Sequence, residues 1–76
     1  MLIRIDESEH DSFFIPYEKV VRISVRSGPT KSVLLLVTDD KRYSLTFDTS
    51  QGAMDSVMCI NPDTNVHKLT GTYVFK

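Results

Sequence analysis

Five consecutive apolar residues, Val33–Val37, stand in a chain of only 76 residues. A strand in a small antiparallel sheet normally alternates apolar and polar residues, because one face is buried and the other meets water. Here both faces of one strand are apolar, so two covers are needed. A chain this short has little to cover them with. Below roughly 70–80 residues one hydrophobic core supplies only a few kcal/mol, and such domains are usually stapled or assembled. The single cysteine, Cys59, rules out an internal disulfide, and no Cys/His set is large enough for a structural zinc site. Association with another chain is therefore expected before any motif is considered.

The punctuation of the sequence divides it into short strands and one helix. Leu2–Ile5 starts a strand, and the polar run that follows it is a loop. Phe13–Ile15 is a second, short strand, which Pro16 bars from a central position. Val20–Arg26 alternates, with Val21, Ile23 and Val25 opposed to Arg22, Ser24 and Arg26. Ser27–Thr30 reads as a turn, Val33–Val37 as a strand, and Arg42–Asp48 alternates again through Tyr43, Leu45 and Phe47. The helix follows, with Asp48 as N-cap and Gln51 completing a capping box. Ala53, Met54, Val57, Met58 and Ile60 fall at helical spacing, and Asn61 with Pro62 ends it. Val66–Phe75 reads as a last strand, with Leu69, Tyr73 and Phe75 on one face and Gly71 as a bulge. The order β-β-β-β-β-α-β predicts one α+β domain over residues 1–76: a small antiparallel sheet of about five strands with one short helix packed on one face.

Hairpin geometry assigns the faces. A four-residue loop at Ser27–Thr30 pairs Ile23 with Leu34 and Val21 with Leu36. Either a two-residue loop at Asp39–Asp40 or a four-residue loop at Thr38–Lys41 pairs Val37 with Arg42, Leu36 with Tyr43 and Leu34 with Leu45. Directly opposed residues share a face, so Val21, Ile23, Val25, Leu34, Leu36, Tyr43, Leu45 and Phe47 form one core face. A three-residue loop at Asp39–Lys41 would invert the third of these strands, but it wants a glycine that is not there. The opposite face carries Val33, Leu35 and Val37 between Arg22, Ser24 and Arg26 on one side and Arg42, Ser44 and Thr46 on the other. An apolar ridge rimmed by arginines has the composition of an interface. The candidate interaction residues are Val33, Leu35, Val37, Arg22, Arg26 and Arg42.

Charge is unevenly distributed although the net is only −1. Residues 1–18 carry Asp6, Glu7, Glu9, Asp11 and Glu18 against Arg4, whereas residues 19–31 carry Lys19, Arg22, Arg26 and Lys31 with no acid. Pairing of the two segments as neighbouring strands would neutralise both; the alternative is a basic patch for an anionic ligand.

The signals for chemistry are weak. His10 lies in an acidic loop and reads as solvated rather than as a metal ligand. His67 could pair with Asp63, but no motif places a nucleophile beside it. Cys59 reads as a small buried hydrophobe near the helix end. Walker, GxGxxG, GxSxG and HExxH patterns are missing. The expected protein is thus non-enzymatic, needs no cofactor, and acts as a regulator, inhibitor or structural subunit, in the first place as a homo-oligomer and otherwise on a protein partner. The alternative is that the same arginines hold nucleic acid or a nucleotide-like anion, against which the pI of about 6.0 counts. The N-terminus shows no signal-peptide pattern and no run is long enough to cross a bilayer, which with the lone cysteine suits the cytoplasm. In general outline the chain is similar to short bacterial and phage accessory proteins, a likeness of shape that carries over no residue.

Overall fold

The computed structural model describes residues 1–61 and 63–74 of the chain. The strands are β1 (Leu2–Asp6), β2 (Ser12–Pro16), β3 (Val20–Ser27), β4 (Ser32–Thr38), β5 (Arg42–Phe47), β6 (Val66–Lys68) and β7 (Thr72–Val74). A single 3-10 turn, Tyr17–Lys19, precedes β3, and one helix, α1 (Ser50–Met58), follows β5. The α+β class is as expected, but the strands form two sheets rather than one. Sheet A has the order β2-β1-β6 and sheet B the order β3-β4-β5-β7. Only β1 and β6 run parallel; the other neighbours are antiparallel.

The division into two sheets traces to Gly71. Val66–Phe75 was expected to be one strand, yet its two halves serve different sheets, β6 in A and β7 in B. Gly71 lies between them at φ +120°, a conformation closed to most side chains. A Cβ there would also come within 2.7 Å of the Phe47 ring. The bend is therefore a corner between layers, not a bulge within one strand. Phe75, expected on the face of Tyr73, and Pro62, expected to end the helix, lie outside the described residues. Pro16 closes β2 on the outer edge of sheet A, where its missing N–H costs no ladder bond.

The core lies between the layers. Leu34, Leu36, Leu45 and Phe47 of sheet B meet Ile3, Ile5 and Ile15 of sheet A, with Ala53 of α1 and Leu69 closing the cluster. Phe13 bridges the sheets, its ring centroid 5.4 Å from that of Tyr43 and 5.3 Å from that of Tyr73. Helix α1 packs across β3, β4 and β5, while β1 reaches β7. Each fully buried Ile or Leu contributes roughly 1.5–3 kcal/mol, so this shared layer dominates the stability of so small a fold.

Register bears out the faces and corrects details. β4 and β5 pair as expected, Leu36 with Tyr43 and Leu34 with Leu45. Thr38 N–H donates to the Lys41 carbonyl at 2.9 Å, which selects the two-residue loop Asp39–Asp40. Between β3 and β4 the register is two residues from expectation: Ser27 pairs with Ser32, Ile23 with Leu36 and Val25 with Leu34. The turn is Gly28–Lys31, closed by Gly28 N–H on the Lys31 carbonyl at 2.8 Å. This puts Pro29 second in the turn, where its fixed φ fits; the expected loop would have placed it third. A shift of two keeps every side chain on its face. Val21 is the exception. A register irregularity between Val20 and Arg22 ejects it from the core face, and it is 70% exposed.

The helix differs at both ends. Thr49, not Asp48, is the N-cap, its Oγ1 accepting from Gly52 N–H at 3.0 Å. Gln51 donates to Asp55 instead of closing a capping box. α1 stops at Met58, before Asn61, with Cys59 as C-cap. Ala53 is buried and Val57 and Ile60 are partly so, but Met54 and Met58 are 47% and 76% exposed. Buried Ser56 takes the remaining inward position. Its Oγ accepts from Thr70 N–H at 3.2 Å, tying the helix to the corner segment.

The two oppositely charged segments do not pair, because residues 1–18 build β1 and β2 of sheet A while residues 19–31 contain β3 of sheet B. Neutralisation is local to sheet A, where Asp6 binds Arg4 at 2.9 Å and Lys68 at 3.1 Å and accepts from the Ser12 hydroxyl at 2.6 Å. One carboxylate thus ties all three strands of that sheet. The Ser12 hydroxyl and Lys68, with a lesser effect of Arg4, hold its pKa down at about 2 from 3.8 against the opposing effect of desolvation.

Two outcomes follow. Gly71→Ala should destabilise the domain by more than about 1 kcal/mol in urea unfolding, since the new methyl meets both a forbidden φ and the Phe47 ring. The depressed Asp6 pKa contributes stability above pH 3.8 that is lost as pH falls through about 2. The gap in stability between wild type and Asp6→Asn should therefore be constant above that window and close within it, as followed by circular dichroism.

Candidate interaction surface

Alternation along β3, β4 and β5 sends one set of side chains into the core and the other to the outer face of sheet B. On that face the pairing sets three cross-strand rows. Val37 stands between Arg22 and Arg42, Leu35 between Ser24 and Ser44, and Val33 between Arg26 and Thr46. β7 extends two rows by placing Val74 beside Ser44 and Thr72 beside Thr46. All six residues singled out in the sequence are thus brought together on one surface, and Val74 joins them. Val74 escapes sequence reasoning because its face depends on which sheet the last segment enters.

The ridge is only partly covered by its own neighbours. Val33 and Val74 are exposed, and Leu35 and Val37 are half-buried under the flanking side chains. A shallow groove runs along it, lined by Arg22, Ser24, Arg26, Leu35, Val37 and Arg42 and continuing past Val33 and Ser44. Arg22 and Arg42 lie one strand apart on each side of Val37, so their Cα atoms are ~10 Å apart; Arg22 and Arg26 are ~13 Å apart along β3.

The electrostatics are one-sided. β3, β4, β5 and β7 contain no Asp or Glu. Among the described residues, Arg22, Arg26 and Arg42 form no ion pair, the only such pairs being those of Asp6 with Arg4 and Lys68. The groove therefore has an apolar floor and a rim of arginines that form no ion pair, with Asp39 and Asp40 of the β4–β5 turn beside its Arg42 end. It can take an anionic group at the rim and apolar side chains on the floor.

Aromatic side chains are placed elsewhere. Tyr43, Tyr73, Phe13 and Phe47 pack in the core. The exposed ones, Phe14 and Tyr17, belong to β2 and the turn after it. No described aromatic residue stands among the arginines of sheet B. The outer face of sheet A carries a second apolar row that the sequence reading passed over, with Leu2 between Pro16 and Val66. The alternation of Leu2–Ile5 is its only local signal.

The remaining chemical candidates fall apart from one another. His10 is exposed in the β1–β2 loop, where its backbone N–H donates to Ser8 Oγ at 3.3 Å. His67 faces α1 rather than Asp63. Its Nε2 lies 2.9 Å from the Ser56 carbonyl oxygen, to which it donates when protonated there. Cys59, expected to be buried, is exposed at the helix C-cap, because the helix ends one turn early and its inward stripe passes through Ser56 and Val57 instead. Among the described residues no three His, Cys, Asp or Glu side chains are grouped to hold a metal ion, and no helix is long and apolar enough to cross a membrane. In comparison with known proteins, the chain matches no protein-family model, no curated protein and no solved structure. The exposure of Cys59 has a direct check: a thiol reagent such as Ellman's should titrate it in the native protein as rapidly as in urea, whereas a buried thiol would react only on unfolding.

Proposed function

We propose that this domain is a non-enzymatic association module that binds another protein through the outer face of sheet B. The observation that carries the reading is the row Val33–Leu35–Val37, held between Arg22, Arg26 and Arg42 on a sheet without a carboxylate. Interfaces combine an apolar centre with arginine anchors, and uncompensated charge selects the partner of opposite sign. Two copies stacked face to face would gather six guanidiniums in one interface, with only Asp39 and Asp40 at the Arg42 end to meet them. That disfavours a homo-oligomer through this face and favours a partner that presents acidic side chains around apolar ones. A nucleic acid would use the same arginines for its phosphates, but single strands are usually held by base stacking on aromatic residues, and among the described residues the exposed aromatics, Phe14 and Tyr17, lie in β2 and the turn after it.

Leu35→Glu, and Arg22→Glu combined with Arg42→Glu, change only the outer face. Each should alter stability by no more than about 1 kcal/mol. On immobilised protein, both should lose the acidic partner retained from native extract, while light scattering of the wild type should show a monomer. Equal retention by wild type and both variants would overturn the reading. Self-association abolished by Leu35→Glu would assign the face to a second copy, and a steep loss of binding to single-stranded RNA with salt would assign it to nucleic acid.

A further inference from the structure

β3 is the outermost strand of sheet B, and its far side pairs with no other described strand. Such an edge presents a row of unpaired N–H and C=O groups and is a template for another strand. Three features set its chemistry. First, Arg22 and Arg26 project from it on the outer face, and Lys19 and Lys31 lie just beyond its two ends, so residues 19–31 hold four cations and no acid. Second, its inward side chains, Ile23 and Val25, are only partly buried, unlike their β4 partners Leu36 and Leu34. Third, α1 packs across β3 with one flank tied to Thr70 through Ser56. Helical spacing puts Met54 and Met58 on the opposite flank, away from the Ser56–Thr70 contact. Both methionines are exposed.

The geometry points to the β3 edge as the seat of an extended acidic segment of a partner protein, which adds there as a fifth strand of sheet B. Its alternating side chains divide between the two faces. Carboxylates on one face meet Arg22 and Arg26, and apolar side chains on the other extend the layer formed by Ile23 and Val25. This rests on the outer face of sheet B being the association surface, and it names both the partner's chemistry and its mode of binding. The same arginines discourage self-pairing, because two β3 edges joined about a two-fold axis would line up their guanidiniums on adjacent strands. The irregularity at Val21 bounds the regular edge at Arg22–Ser27, which matches a partner segment of about six residues.

The test uses a fluorescein-labelled heptapeptide alternating glutamate and valine, with one analogue carrying lysine for glutamate and another N-methylated along one backbone edge. In fluorescence anisotropy the acidic peptide should bind, and both analogues should bind about tenfold more weakly or worse. Arg22→Glu combined with Arg26→Glu should reverse the preference and bind the lysine peptide, a gain that simple loss of structure would not produce. Hydrogen exchange should show new protection among the amides of Val21–Ser27. Undiminished binding of the N-methylated peptide, with methyl shifts at Val33, Leu35 and Val37 and no new protection in β3, would overturn strand addition while leaving the association surface in place. Failure of the acidic peptide to bind or to shift any sheet B resonance would overturn strand addition, and the association surface itself then stands or falls on the Leu35→Glu retention experiment.

Discussion

The organisation of this domain depends on one strand being apolar on both sides. Leu34 and Leu36 of β4 are fully buried because two separate pieces of chain, sheet A and α1, share the inner face of sheet B. That arrangement uses Ile3, Ile5 and Ile15 of sheet A, Ala53 of α1 and Leu69 of the corner segment. Among the described residues, nothing is left to lie over Val33, Leu35 and Val37. Ordinary sheet surfaces resolve this by alternation, with polar residues turned to water. Here the polar residues are displaced sideways onto β3 and β5, where arginines and hydroxyls surround the ridge without covering it.

The distribution of charge acquires meaning only in three dimensions. A sequence with nearly balanced charge folds into layers of opposite character. Sheet A and its β1–β2 loop collect Asp6, Glu7, Glu9 and Asp11, while the strands of sheet B hold arginines and no acid. Within sheet A, Asp6 joins three strands through Ser12, Lys68 and Arg4. Sheet B has no counterpart of Asp6, so its cations stay available. The asymmetry gives the molecule a direction: a negatively charged partner is drawn to one layer and repelled by the loop of the other.

Much of this was legible in the sequence, and the parts that were not share a cause. The faces of β3, β4 and β5 follow from period-two alternation, which survives even the two-residue error at Gly28–Lys31. Strand membership does not follow, because alternation says which side a residue faces and not which sheet it belongs to. Gly71 could be read as a bulge or a corner, and only the Phe47 ring pressed against it decides. The same holds for Val21, whose apolar character fitted the core face until the local irregularity removed it. At the helix, Asp48 and Thr49 are both good caps, and the choice moves with where β5 ends. Helical spacing turns Met54 and Met58 inward and residue type alone buries Cys59, whereas the polar Ser56 takes the inward place because Thr70 offers it a hydrogen bond.

The corner at Gly71 also bears on how the chain reaches this fold. β1, near the start, waits for β6, and β5 waits for β7, so both sheets are finished by the same short stretch near residue 70. Contacts between such distant parts of a chain form slowly, since loop closure precedes any reward. During synthesis sheet B would stand with an unpaired edge at β5 as well as at β3, and β1 would lack its neighbour β6, until the stretch around residue 70 had emerged. A nascent chain halted before the corner would therefore lack the closing strand of both sheets at once.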